Sequence, residues 1–269
     1  MAIRKLTPAI HEKVWGSPET QPWLANPEGR KIGEIWFSAP EAMPVLVKLL
    51  FTTERLSVQV HPDDAYARAH GETRGKTEMW HILRAEPDAT IALGPRRTVT
   101  KQQLGEAALT GEIVALLDWV SARAGDTFFV PAGTIHAIGG GLTLCEIQQL
   151  SDVTYRLFDY HRKPARPLHL DDSLAVARLE PFDGRMLPRS MESGRDLLAE
   201  CSYFRTERLE VQGTSKCPAL ERPSMYVAIG GEGQIAGQGF HAGEAFVADA
   251  DSDLFTIDAS AATFIIASA

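Results

Sequence analysis

The stretch GDTFFVPAGTIH, residues 125–136, decides how this chain is read. Its segment 126–131, DTFFVP, is a short apolar and aromatic run of the kind that forms a strand. Pro131-Ala132-Gly133 ends that run in a sharp turn, because proline cannot donate to a ladder and glycine accepts backbone angles closed to other residues. His136 follows three residues after Gly133, and the turn aims its imidazole inward.

Two upstream segments supply companions for that imidazole. LSVQVH (56–61) alternates, with Ser57, Gln59 and His61 on one face and Leu56, Val58 and Val60 on the other. Residues i and i+2 of a strand point the same way, so Gln59 and His61 can reach one ion together. TEMWHIL (77–83) reads as a neighbouring strand and carries Glu78. Imidazole and carboxylate suit zinc, manganese and ferrous ions. Taken singly, a histidine is more often structural than a ligand. The combination of Gln59, His61, Glu78 and His136 is what marks a metal site.

The rest of the chain is read around this core. IGEIWF (32–37), VLVKLLF (45–51), TIALG (90–94), LTLCEIQQ (142–149) and VTYRLFDY (153–160) read as strands. DDAYARAHG (63–71) reads as a short helix capped by Asp63 or Asp64 and ended by Gly71. Residues 100–117 are the clearest helical stretch, with Thr100 as N-cap and Gly105 and Gly111 dividing it into two short helices. The Gly139-Gly140-Gly141 run lacks the Gly-Lys-Ser/Thr ending of a phosphate loop and is better taken as a tight hairpin. Residues 173–196 show little periodicity, and from 201 onward short strands resume between Gly-rich turns. Many short strands with such turns argue an all-β barrel or sandwich.

A faint repeat links the two halves. GDTFFVPAGTIH (125–136) lies over GEAFVADADSDL (243–254), with Gly125 on Gly243, Phe128 on Phe246 and His136 on Leu254. On this reading the C-terminal half is a second β domain that lacks the metal-ligand histidine.

Composition narrows the function classes. With 269 residues the chain can bury a full core without staples. A net charge of −8 argues against broad nucleic-acid or anionic-membrane binding. Cys145, Cys201 and Cys217 are odd in number and widely spaced, so neither a zinc ribbon nor a disulfide scaffold is indicated. The N-terminal residues lack an apolar leader and no stretch approaches ~18 consecutive apolar residues. A reducing cytoplasm is the expected compartment, and the oligomeric state is left unassigned.

The spacing from Gly125 through Pro131 and Gly133 to His136 resembles the second motif of the cupin superfamily. The Asn usual four residues after that histidine is Gly140 here, and the usual His-x-His of the first motif is Gln59-x-His61. With those departures the chain resembles the type I phosphomannose isomerase (mannose-6-phosphate isomerase) family. VWG (14–16), SVQVHPDD (57–64), GKTEMWHI (75–82), FFVPAGTIHAI (128–138) and EIQQLSDVTYRLFDYHR (146–162) occur in family order. The likeness fades beyond residue 170.

The resemblance implies a mainly β, cupin-type β-barrel (jelly roll) with a small helical insertion around 100–117. Residues 1–172 would form the catalytic cupin domain. Residues 173–269 would be a linker and a smaller, degenerate, metal-free β domain. It implies zinc as the one divalent ion on Gln59, His61, Glu78 and His136. Lys76, Glu146 and Arg156 match catalytic positions facing the sugar. Ser57 and Arg162 match positions associated with the substrate phosphate. The implied reaction is aldose–ketose isomerisation of mannose 6-phosphate and fructose 6-phosphate through an enediol. The alternatives are another sugar-phosphate isomerase, a cupin oxygenase, or a sugar-binding regulatory cupin without turnover. An oxygenase ordinarily uses more histidines, and a binding protein has no need of Lys76, Glu146 and Arg156 together. No nucleic-acid or membrane partner is expected.

Overall fold

The computed structural model describes residues 3–217, 221–250 and 252–269. The chain divides into two compact units interleaved along the sequence. One comprises Thr52–Leu144 and Ser151–Arg185; the other comprises Met1–Phe51, Cys145–Leu150 and Met186–Ala269.

The first unit carries the segments singled out above. Its five-stranded antiparallel sheet runs in the order Tyr155–Phe158, Val58–Val60, His136–Ile138, Thr90–Pro95, Leu117–Ser121. A further pair joins Glu78–Ala85 to Thr127–Val130. The period of two sorts the sheet's side chains. Val58, Val60, Ala92, Ala137 and Leu157 join a core with Leu104, Ile113 and Leu117. Burying each large apolar side chain of this kind contributes about 1.5–3 kcal/mol. The residues between them, Gln59, Leu93, His136 and Arg156, stand on the opposite face, aligned across the strands.

Helices cover the apolar face. Lys101–Thr110 begins at Thr100, whose hydroxyl accepts from the Gln103 N–H while the Gln103 side chain accepts from the Thr100 N–H. This reciprocal pair satisfies two otherwise orphaned donors. The helix ends at Gly111, and Ile113–Leu116 follows. Gly105 does not divide the stretch as expected. It lies inside the helix, where a Cβ would come 3.3 Å from Leu174 of the helix Leu170–Val176. Close helix–helix packing, not helix termination, accounts for it. Asp63 caps Asp64–Ala69 by accepting from the Tyr66 N–H at 2.8 Å.

The second unit has an eight-stranded antiparallel sheet containing Ser224–Ile235, Phe255–Ser268 and Arg205–Cys217. The N-terminal strand Ile3–Lys5 pairs with Ala245–Ala248. Separately, Ala9–Ser17, Ile32–Ser38 and Val45–Thr52 form an antiparallel meander. The core beneath the large sheet is apolar, with Tyr226, Phe240, Phe246, Phe255, Ile257 and Phe264 buried together.

The repeat holds at its glycine and phenylalanine positions. Gly125 and Gly243 have φ of 91° and 90°, and Phe128 and Phe246 are both fully buried. At Gly243 the demand is also steric, since a Cβ would fall 1.8 Å from the Trp23 carbonyl oxygen. Leu254, the counterpart of His136, is 60% exposed. Among the described residues no helix is long and apolar enough to cross a membrane.

Candidate metal centre

Gln59 stands opposite His136 on one neighbouring strand and opposite Arg156 on the other. Its Nε2 is 3.2 Å from His136 Nε2. Glu78 presents Oε1 3.3 Å from His136 Nε2 and Oε2 3.6 Å from His61 Nε2. The ligand atoms of His61, Glu78 and His136 all lie within 4.8 Å of one another, and all three residues are buried. Four ligands about 2.0–2.2 Å from a tetrahedral ion are separated by about 3.3–3.6 Å. The two Glu78–histidine separations, 3.3 and 3.6 Å, match the edges of such a tetrahedron, while the full spread of up to 4.8 Å would have to tighten around an ion.

Both rings are set in the tautomer that a metal requires. His61 Nδ1 is 2.8 Å from the Val153 carbonyl and His136 Nδ1 is 2.9 Å from the Thr134 carbonyl. A carbonyl only accepts, so each Nδ1 carries the proton. In the neutral ring the lone pair is then on Nε2, which faces Glu78 in both histidines and Gln59 as well in His136. As drawn, the Gln59 amide donates to His136 Nε2; a flip of that amide presents its carbonyl oxygen instead.

Glu78 supplies the test of fit. Both of its oxygens are buried and neither accepts a hydrogen bond, although Lys76 Nζ lies 3.0 Å from Oε2. Lys76 offsets part of the cost of burying this carboxylate, and a divalent cation would offset more of it at the two oxygens that face the imidazoles. The donor set, two imidazoles, a carboxylate and an amide, suits zinc or a similar ion. Trp80 packs edge-on against His136 with ring centroids 5.3 Å apart. Gly140, where the cupin motif has Asn, leaves no room for a side chain: a Cβ would be 2.6 Å from the Thr53 carbonyl oxygen.

Arg156, in register with Gln59, adjoins the cluster. Arg156 Nε donates to Ser57 Oγ at 3.3 Å and Nη1 donates to the Pro167 carbonyl at 2.8 Å. Burial and the nearby Arg166 disfavour its charge, with Asp159 opposing them. A cation so placed gains from an arriving anion. Arg162 donates to Asp159 at 3.0 Å and to the Arg55 carbonyl. Arg166 Nε donates to the other Asp159 oxygen at 2.7 Å. Burial works to raise the Asp159 pKa, but Arg166 and Arg162 outweigh it and hold the carboxyl below its ordinary value.

Glu146 belongs to the other unit, buried on the strand Leu142–Gln149. Lys48 Nζ is 3.5 Å from its Oε1 and lies over the Trp36 ring at 4.4 Å. Glu34 takes a 2.9 Å hydrogen bond from Trp36 Nε1. Burial pushes the Glu34 carboxyl up, and Lys48 and Lys13 more than offset it, so its pKa is lowered. Lys48 and Glu34 were missed in the sequence. Their signal was a charge in the middle of otherwise apolar strands, VLVKLLF and IGEIWF. Arg166, within the basic run HRKPAR (161–166), and Asp159 just before it were also not singled out. His81 has no ligand role here; its Nδ1 is 2.9 Å from Thr127 Oγ1.

Known proteins resemble the chain over most of its length. It is 33% identical over 250 residues to the Bacillus subtilis protein named "Probable mannose-6-phosphate isomerase GmuF", covering 86% of this chain and 79% of that one. It is 40% identical over 205 residues to the mannose-6-phosphate isomerase ManA of the same organism, covering 72% of this chain and 64% of that one. The Streptococcus mutans mannose-6-phosphate isomerase is 34% identical over 204 residues, 74% of this chain and 64% of its own. Among solved structures, a Bacillus subtilis mannose 6-phosphate isomerase superposes with a TM-score of 0.87 at 26% identity, covering 99% of each chain. A zinc-bound mannose 6-phosphate isomerase shares the fold, with a TM-score of 0.78 at 15% identity over 100% of this chain and 99% of that one. No family model matches.

Proposed function

The chain belongs to the mannose-6-phosphate isomerase family, and on that premise we propose how its own residues interconvert mannose 6-phosphate and fructose 6-phosphate. Gln59, His61, Glu78 and His136 would hold one divalent ion, zinc in the first instance. When bound, that ion supplies Lewis acidity toward the sugar's oxygens.

The reaction moves hydrogen and breaks no carbon–carbon bond. A base removes the proton from C2 of the open-chain aldose, leaving an enediolate, the anion of the enediol. A proton is returned to C1, and the O2 hydroxyl proton is transferred to O1. Glu146 and Lys76 are the candidates for this base, a role worth typically ~10²–10⁴-fold. For Glu146 the support is its family motif and its burial beside Lys48. For Lys76 it is a buried side chain with Nζ 3.0 Å from Glu78; the lysine would accept the proton as the neutral amine. Arg156 would stabilise the negative charge that develops on the enediolate oxygens, through a guanidinium already oriented by Ser57 and Pro167. Ser57 and Arg162 would anchor the phosphate, for which a charge-assisted hydrogen bond from arginine is well suited. Arg162 would exchange part of its contact with Asp159 for that phosphate.

The observation that carries this reading is the buried Glu78 carboxylate whose two oxygens face the Nε2 atoms of two imidazoles oriented through Nδ1. The test is a coupled assay on metal-loaded protein, with mannose 6-phosphate added and fructose 6-phosphate detected. Turnover that vanishes on chelation and returns with zinc is the expected result. Protein that holds one metal per chain, binds the sugar phosphate and does not turn it over would overturn the catalytic reading in favour of a sugar-binding role.

A further inference from the structure

The strand Tyr155–Phe158 is the outer edge of its sheet, and edge strands leave backbone groups that must be paired or solvated. At Arg156 one residue takes both. The Arg156 N–H donates to His169 Nδ1 at 3.1 Å, and the His169 N–H donates to the Arg156 carbonyl at 2.9 Å. An imidazole nitrogen thus stands where a neighbouring strand would place a carbonyl. Two residues earlier, the Pro167 carbonyl accepts from Arg156 Nη1. The segment 167–169 therefore holds Arg156 at its backbone and at its guanidinium.

We propose that His169 is a positioning residue for the isomerase reaction, which through Nδ1 fixes the backbone of Arg156 and so aims its guanidinium at the reacting oxygens. The proposal rests on the role given to Arg156 above. Misplacing a transition-state contact by a fraction of an ångström lowers turnover more than binding.

The arrangement requires an unprotonated Nδ1, so His169 acts as the neutral, Nε2-protonated tautomer. The charged and titratable groups around it are Arg156 and Tyr155 on the edge strand and Asp172 on its own helix. Tyr66 reaches the same Asp172 through a 3.0 Å hydrogen bond from the helix Asp64–Ala69. Burial and the Arg156 cation hold the His169 pKa below its ordinary value, with Asp172 opposing them. Protonation would both remove the acceptor and set a second cation beside Arg156.

Three zinc-loaded proteins decide the matter: the native chain, His169→Ala and His169→Asn. Asparagine offers an acceptor close to the Nδ1 position and does not titrate. At mildly alkaline pH, His169→Ala is expected to lose about 10-fold in kcat with KM within about two-fold and zinc content unchanged. His169→Asn is expected to recover most of that loss and to move the acid-side decline in kcat to lower pH. In parallel, hydrogen exchange at the Arg156 amide is followed by NMR on the metal-free proteins. It should be slow in the native and Asn proteins and fast in the Ala protein. Equal loss in both variants, or native kcat and slow exchange in His169→Ala, would overturn the proposal. Should the Ala variant fail to fold, the Asn variant decides alone, since an unshifted acid limb overturns the idea. If no protein turns over mannose 6-phosphate, the isomerase reading falls, and the exchange rates still decide whether His169 holds Arg156.

Discussion

An imidazole binds a metal only through the nitrogen that its surroundings leave unprotonated, so the carbonyls of Val153 and Thr134 matter as much as the rings they orient. His136 is fully buried and shares the cluster with Glu78, so it has no competing solvent role. Replacing it with alanine should reduce metal content from about one ion per chain to near none, read by elemental analysis after gel filtration. Full metal retention would strike His136 from the ligand set. Arg156→Ala tests a different contribution. It should cut kcat by about 10²–10³-fold, the usual scale for losing one transition-state donor, while the zinc content stays the same. Unchanged turnover would end the role given to Arg156. The four candidate ligands were legible because their residue types are unusual on apolar strands and the spacing of Gln59 and His61 puts both on one face. His169 was not legible. Its function here comes from accepting a backbone N–H, and a backbone partner thirteen residues away leaves no mark in side-chain chemistry.

The helical insertion shows how an element can be essential to the sheet yet remote from the chemistry. Leu104, Ile113 and Leu117 are fully buried against Val58, Val60 and Ala137. These strand residues alternate with Gln59 and His136, so the packing that buries one face sets the other. Thr100→Ala removes the capping box and should cost about 0.5–2 kcal/mol of stability. The check is a urea titration alongside the isomerase assay at a temperature where both proteins are folded. A lower midpoint with native kcat is expected; a matched loss of kcat would mean that the helix start reaches the site. Thr100 and the break at Gly111 were readable because caps use a small set of residues. The role of Gly105 was not, since glycine at a close helix–helix approach looks in sequence like a breaker. The strand Ala9–Ser17 was missed because its apolar Ile10 and Val14 are exposed while its polar His11 and Lys13 are half-buried, so residue type does not follow the alternation that marks a half-buried strand. The sequence boundary drawn at 172/173 falls inside the segment Ser151–Arg185 of one unit, and residues Met1–Phe51 group with the C-terminal strands. Motif order along the chain carries no information about such pairing.

At the scale of the whole molecule, the acid response follows from carboxylates spread over both units. Glu34, Asp159, Asp196 and Glu207 all have lowered pKa values. Burial works against all four and is the largest single influence on Glu34, Asp159 and Glu207, but their arginine and lysine partners prevail. For Asp196 the leading cause is the hydrogen bond from Ser190, followed by that from Arg208. A carboxyl with a lowered folded-state pKa stays ionised in the fold after its unfolded counterpart has taken up a proton. Its contribution to stability is therefore complete above the unfolded value, 3.8 for Asp and 4.5 for Glu. It is lost as pH falls from there through the folded value. His169 acts earlier. Its folded-state pKa is lowered from 6.5 by burial and by Arg156, so the unfolded chain gains a proton there first and stability begins to slip below that pH. The two sets predict a profile with two slopes. The urea midpoint should be level above about pH 6.5, decline gently toward about pH 4.5, and fall steeply below it. In His169→Asn the gentle part should flatten while the steep part remains. A midpoint that holds constant from neutral pH down to about pH 3 would mean that these carboxylates are no better partnered in the folded chain than in the unfolded one, and the ion-pair account of both units would fail with it.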